Sequence, residues 1–469
     1  MSLTILADKD TKEILHGITL EQLERFQDSL RRALHEFSTG TQDEGACSIH
    51  QPLRTTMQGK NGTTTLFMPS TSSTAIGMKV VTLAAPSTSA PDEPLGNPSP
   101  QGALTIMSNA GRPLGFLNAE EITAFRTALA SSLLISRRAH VKAVTVYGAG
   151  RQAFWHIRLC LLIHGSTIKH VNIINRTFSE KVRALFKGFL GVDPEVKERE
   201  GWANTKFGIL TPTYKEYDRL EMQQVRSADI LICTTPSTEP LFDEKILTNP
   251  EGRKKGRLII AIGSYKPHMI ELPIPVLTQA VKTHGSGHFH RHANEGGVIV
   301  VDALDACLKE AGEIIQAGIS ARQLVELGEL VMLENAAEDT YGYSSTDSSE
   351  LASLTSSFDD IEIGSGAGKS LSAVFGPENG KERRSVSRNN SRSPSRRGSG
   401  IFHKRTSSKG VSDIERKSQS PGDEAMCRWL SRGNVIYKSV GMGLMDLVVG
   451  ADMITIAKEK GIGVTVPDF

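Results

Sequence analysis

Apolar residues recur at helical spacing over 19–37 (Leu20, Leu23, Phe26, Leu30, Leu34), which predicts an amphipathic helix. After it the period shortens. Residues 64–68 and 77–83 read as strands, and 103–107 with 113–117 flank Asn109-Ala110-Gly111 as a hairpin. A helix is expected over 120–135. From Val141 the pattern changes: strands at 141–147, 170–175, 228–233, 257–262 and near 298–302 alternate with helices at 151–164, 178–190 and 303–316. Such alternation implies a parallel sheet with crossover connections. A helical pattern over 321–333 closes this block. The tail from Arg428 reads as an extended 434–437, a helix over 442–458 and a short strand, too little for a domain of its own.

Between these blocks, 334–422 follows neither period. Acidic residues come first, and then stretches such as Ser391-Arg392-Ser393-Pro394-Ser395-Arg396-Arg397. Its apolar surface is too small to offset ordering entropy, so it reads as a disordered, solvated insertion open to kinases. Without interleaved aromatics it is not expected to bind nucleic acid. The expected organisation is 1–125 as the first part of an α+β domain, 126–335 as an α/β domain, 336–427 as the insertion, and 428–469 returning to the first domain.

Composition narrows the class. The 469 residues are 39% hydrophobic with 43 glycines, enough material for two cores. A net charge of +2 leaves no overall electrostatic footprint for nucleic acid. There is no apolar run of membrane-spanning length, and Met1-Ser2-Leu3-Thr4 is not expected to open a secretory leader. Five scattered cysteines (Cys47, Cys160, Cys233, Cys307, Cys427) fit a reducing compartment, so a soluble cytoplasmic protein is expected.

The chemistry starts where the strand at 141–147 meets Gly148-Ala149-Gly150-Arg151-Gln152-Ala153 and then a helix. This is the G-x-G-x-x-A fingerprint of a Rossmann dinucleotide site in its strand–turn–helix context. Gly148 permits the tight turn, Gly150 lets a pyrophosphate approach the backbone, and Ala153 keeps the helix close to the strand. The helix N-terminus offers free N–H groups to the phosphates. At the end of the next strand, where NAD sites normally carry an acid, stand Asn175, Arg176 and Thr177. A guanidinium can grip a ribose 2′-phosphate that a carboxylate would repel, so NADP(H) is favoured over NAD(H).

Together with Gln51-Pro52-Leu53-Arg54-Thr55, Gly77-Met78-Lys79-Val80-Val81, Thr123-Ala124-Phe125-Arg126-Thr127-Ala128, Thr235, Ile262-Gly263-Ser264 and Lys438-Ser439-Val440-Gly441-Met442, these residues resemble the ornithine cyclodeaminase/μ-crystallin family, closer to its ketimine-reductase-like branch. The resemblance implies a homodimer in which N- and C-terminal segments build the substrate domain beside the Rossmann domain. It implies that Arg54 and Arg126 hold a substrate carboxylate and that Lys79 works at the reacting centre. The implied cofactor set is Gly148, Gly150, Arg151, Gln152, Ala153, Asn175, Arg176, Thr177, Thr235, Ile262, Gly263, Ser264 and Ser439. A Lys near two Arg has its ammonium form disfavoured, which suits proton transfer.

The chain departs from the cyclodeaminase pattern. Where that branch resembles G-G-D-x-P, Gly263-Ser264-Tyr265-Lys266-Pro267 lacks the acid, with Glu271-Leu272 following. A loop at 284–292 carries His288, His290 and His292, but no Cys or carboxylate pattern completes a metal site. The expectation is an NADPH-dependent reductase of a small carboxylate-bearing cyclic imine. Three alternatives stay open: an amino-acid dehydrogenase, a cyclodeaminase-type lyase, and a non-catalytic NADPH-binding protein.

Overall fold

The computed structural model describes residues 2–40, 49–60, 62–83, 100–282, 296–333 and 421–469. The Arg/Ser-rich stretch up to 420 and the His-containing loop at 284–292 lie outside the described residues.

The first quarter of the chain forms a sheet from β1 (Leu3–Leu6), β2 (Thr55–Gln58), β3 (Thr64–Thr71), β4 (Ala75–Leu83), β5 (Gln101–Ser108) and β6 (Pro113–Asn118), joined by β15 (Val464–Val466) from the C-terminus. The order is β15-β1-β6-β5-β4-β3-β2, antiparallel except for β1 beside β6. Alternation along the strands turns Leu66, Met68, Leu104, Ile106 and Leu117 inward, where they are buried. Over that inner face lie α1 (Asp8–His16), α3 (Ala119–Ile135) and the C-terminal helix Gly443–Lys460, and α2 (Leu20–Thr39) packs on the last two. Thr19 starts α2 with a capping box: its hydroxyl accepts from the Gln22 N–H, and Gln22 reaches back to the Thr19 N–H. Such a cap stabilises by about 1 kcal/mol. The outer face is also partly apolar, with Phe67, Met78, Val80 and Phe116 in register across β3 to β6, and Phe116 is 48% exposed.

The second sheet is wholly parallel: β7 (Ala143–Tyr147), β8 (His170–Ile174), β9 (Lys206–Leu210), β10 (Ile230–Cys233), β11 (Leu258–Ala261), β12 (Val298–Val301), β13 (Leu324–Glu326) and β14 (Val435–Lys438). Its order is β13-β12-β14-β11-β10-β7-β8-β9. Strands β7, β10, β11 and β12 are buried along their whole length, as mainly apolar strands covered on both faces require. The order reverses beside β7, which opens a crevice at the carboxyl ends of the strands. α4 (Arg151–His164) follows β7 and packs on α3. Trp155 of α4 meets Phe125 of α3 edge-on at 5.1 Å, and Phe125 meets Phe26 of α2 at 5.3 Å.

The structure differs from the pattern reading in several places, among them β1, α1 and β2, which were not expected. β9 and the helix Tyr217–Ser227 were not expected. Residues 321–333 do not form one helix: a 3₁₀ turn Ala321–Gln323 leads into β13 and then the short helix Leu327–Leu330. α3 runs straight through the expected division at 125/126. At the C-terminal end the helix Pro421–Arg432 occupies residues assigned to the insertion, with Met426, Cys427, Trp429 and Leu430 buried. The tail itself is shared: β14 enters the second sheet between β11 and β12, while the C-terminal helix and β15 belong with the first.

Candidate active site

The loops that follow the parallel strands carry nearly all of the dinucleotide residues expected from the sequence. Gly148 leaves β7 at φ +106, and a Cβ there would lie 2.6 Å from Thr234 Oγ1. Gly150 is the N-cap of α4 and has no side chain to satisfy the first-turn N–H groups. A Cβ at Gly150 would meet nothing within 4 Å. An uncapped helix N-terminus facing open space, reached through a glycine turn, is what a pyrophosphate requires. Ala153 is fully buried against the sheet. Gln152 donates to the Thr123 carbonyl at 3.5 Å, and its Oε1 is buried without a hydrogen-bond partner among the described residues. Arg151 turns away to Glu120, 2.7 Å from Oε2. After β8, Asn175 Nδ2 donates to the Thr177 carbonyl at 2.7 Å, and Arg176 and Thr177 are exposed. The residues present therefore fit a dinucleotide.

Beneath these loops lies a polar network that the sequence reading missed. Glu271 is fully buried and accepts from the N–H groups of Thr235 at 2.7 Å, Gly263 at 2.7 Å and Ser264 at 3.1 Å. It thereby ties the loops after β10 and β11 together, and Ile262 N–H donates to the Cys233 carbonyl at 2.9 Å. Burial pushes the Glu271 carboxyl up to about 7, against the pull of the Lys438 ammonium. Ser264 Oγ is engaged by Glu313 and Lys438, and Lys438 Nζ lies 3.3 Å from Glu313 Oε2. Ser439 Oγ donates to Asp302 at 2.7 Å, and Asp302 also accepts from the N–H groups of Val440 and Gly441. The Ser264 and Ser439 hydroxyls are thus engaged inside the network. That network shapes the 439–441 turn, where Gly441 stands at φ +90 and a Cβ would lie 2.8 Å from Arg126 Nη2.

This turn brings the crevice to the second group of expected residues. Lys79, on the inner face of β4, is 2% exposed. Its Nζ donates to Asp446 Oδ1 at 2.9 Å. Arg126, on α3, approaches the same oxygen with Nε at 3.4 Å and places Nη1 3.5 Å from Met445 Sδ. Arg54 comes from the loop before β2. It is paired with Glu310, donates Nε to Glu310 Oε1 at 3.1 Å, and reaches the Tyr265 carbonyl at 3.3 Å. Burial brings the Lys79 amine down from 10.5 to about 8; Asp446 opposes the shift, and the Arg126 and Arg54 guanidiniums add to it. Lys79 and Arg126 thus meet at Asp446, while Arg54 is held by Glu310 and acts on Lys79 only through its charge. Asp446 and Glu310 were not expected, although a lone Asp inside Leu444-Met445-Asp446-Leu447-Val448-Val449 is itself a signal, because a buried charge needs a partner.

No family model matches the chain. Among curated proteins, it is 27% identical to the Δ1-pyrroline-2-carboxylate reductase of Bacillus cereus over 286 residues, 59% of this chain and 73% of that one. It is 28% identical to the ketimine reductase μ-crystallin of Macropus fuliginosus over 316 residues, covering 65% and 80%. An uncharacterized protein of Saccharomyces cerevisiae is 28% identical over 260 residues, half of this chain and 64% of that one. The fold superposes on Thermococcus litoralis Δ1-pyrroline-2-carboxylate reductase in complex with NADH and L-proline with a TM-score of 0.58 at 18% identity, over 99% of this chain and all of the other. The architecture is thus an α/β dinucleotide-binding Rossmann sheet joined to an α+β sheet domain. In sequence the chain is similar to reductases of the ornithine cyclodeaminase/μ-crystallin family, and it shares their fold.

Proposed function

We propose that the protein is an NADPH-dependent reductase of the C=N bond in a small cyclic imine bearing a carboxylate. The observation that carries this reading is the buried Lys79–Asp446–Arg126 cluster, which touches the crevice through the Gly441 turn. Gly148, Gly150 and the first turn of α4 would hold the pyrophosphate, and Arg176 and Thr177 a 2′-phosphate. The dinucleotide supplies a hydride when bound. Arg126 offers a charge-assisted grip on the substrate carboxylate, with Arg54 beside it. Lys79, with its proton affinity near neutral, delivers a proton to the imine nitrogen as the carbon is reduced, so the product is the secondary amine. A pure binder has no use for an amine whose proton affinity has been lowered to this range.

The reading includes a homodimer formed through the partly apolar outer face of the first sheet, around Phe67, Met78, Val80 and Phe116, since an exposed apolar patch of this kind marks an interaction surface. It also includes a cytoplasmic location, supported by the free buried thiols of Cys160, Cys233, Cys307 and Cys427. Among the described residues no helix is long and apolar enough to cross a membrane.

The test is NADPH oxidation with five- and six-membered cyclic imine 2-carboxylates. Lys79→Ala is expected to lower kcat by roughly 10²- to 10⁴-fold. Arg126→Ala should act mainly on KM, because the carboxylate is present in ground and transition states alike. No oxidation of NADPH with any such imine by the unmodified protein would end the proposal.

A further inference from the structure

The site holds three cations and two buried or half-buried carboxylates. Glu310 is taken by Arg54, while Asp446 is shared by Lys79 and Arg126. With Lys79 protonated, three positive and two negative charges leave the pocket at +1. We propose that Asp446 is a positioning residue that fixes the Lys79 amine and reduces the charge of the pocket to the single positive charge that one substrate carboxylate cancels, so that the arriving carboxylate itself secures the proton on Lys79. The inference rests on the reductase reading and adds to it a role for Asp446 and a link between substrate binding and protonation.

The geometry supports each part. Asp446 comes from the C-terminal helix, is 0% exposed, and reaches across to β4 and α3 with one oxygen. Its other oxygen, Oδ2, is buried without a hydrogen-bond partner among the described residues, so the carboxylate is held mainly by the two cations. The charged groups acting on Lys79 are Asp446 on the C-terminal helix, Arg126 on α3, and Arg54 before β2, the last held by Glu310. In the free protein they and burial leave the amine at about 8, so near that pH it is only partly charged. A carboxylate arriving beside Arg126 adds a negative charge a few ångströms away and raises the affinity of Lys79 for its proton. By linkage, binding takes up a proton.

Titration calorimetry of the unmodified protein with cyclopentanecarboxylate, a monoanion with neither an amine nor a C=N bond, at about pH 8.5 in buffers of different ionisation enthalpy reads this directly. Uptake of roughly two thirds of a proton per ligand is expected, falling towards zero at about pH 6. Uptake that is absent, or the same at both pH values, overturns the inference. So does a failure of the carboxylate to bind. The second arm is Asp446→Asn in the full chain. Removing the charge that supports the ammonium should move the alkaline limit of kcat/KM downward by roughly one pH unit or more, while Asp446→Glu restores it in part. A variant that folds and keeps the parent profile refutes the role of Asp446. An unmodified protein that reduces no imine yet shows the proton uptake would sink the reductase reading and leave the charge coupling standing.

Discussion

Gly148 and Gly150 are two residues apart in one fingerprint, yet alanine at each should fail in a different way. At Gly148 the backbone stands at φ +106, and a methyl would lie 2.6 Å from Thr234 Oγ1 and 3.1 Å from Thr235 Cγ2. The conformation alone costs an L-residue about 1–2 kcal/mol, and the contact forces the 234–235 loop to move. Gly148→Ala should therefore lower stability as well as cofactor binding. At Gly150, φ −87 suits any residue and a methyl meets nothing within 4 Å. Loss of unfolded-state freedom offsets the poorer N-cap, so Gly150→Ala should leave stability within about 1 kcal/mol of the parent. The open space is where a pyrophosphate must approach the helix. The same methyl should weaken NADPH binding by at least about tenfold, or about 1.4 kcal/mol. Thermal denaturation without cofactor and fluorescence titration with NADPH separate the two effects. Gly150→Ala with unaltered Tm and unaltered NADPH affinity would refute the placement of the cofactor.

Three further outcomes are expected. Arg176→Ala should lose most of the preference for NADPH over NADH; equal affinity of the unmodified protein for both would remove the assignment of Arg176. Glu271 holds its proton more tightly when folded, at about 7 against an ordinary 4.5, so the folded state binds more protons between these values. Its contribution to stability is greatest below about 4.5 and is lost as pH rises through about 7, roughly 3 kcal/mol in all; urea unfolding across this range should show a slope that Glu271→Gln flattens, and identical slopes would contradict the argument. Ornithine should not be converted to proline at a useful rate, because Tyr265 stands where an acid is needed and burial pushes its phenol further up; release of proline and ammonia at catalytic rates would reverse this.

The parallel core was legible because strands buried on both faces leave unbroken apolar runs such as Val298-Ile299-Val300-Val301. β9 was missed because it lies at the sheet edge, where only Leu210 of Lys206–Leu210 is buried. Residues 321–333 misled because Leu324, Leu327 and Leu330 fall three apart while the chain passes through a turn, a strand and a short helix. Among the active-site candidates the fingerprint could be read from its own spacing. Lys79 and Arg126 could not, since nothing local distinguishes them from surface charges, and only the family pattern singled them out. The network of Glu271, Glu313, Lys438 and Asp302 is assembled from separate segments of the chain by the topology, which no linear pattern records.

The placement of β14 has a consequence for how the protein is made. Seven of the eight strands of the cofactor sheet lie before residue 327, but the eighth, Val435–Lys438, sits in the interior between β11 and β12. Until it emerges from the ribosome, two strands that are to be buried on both faces present unpaired edges to each other, and such edges are open to pairing with other chains. The sheet that binds the dinucleotide therefore closes only late in synthesis. Inserting sequence ahead of the last strand raises the entropic cost of closure only logarithmically with length. The same chain that tolerates a long stretch between Leu333 and Pro421 should thus be intolerant of truncation before Lys438.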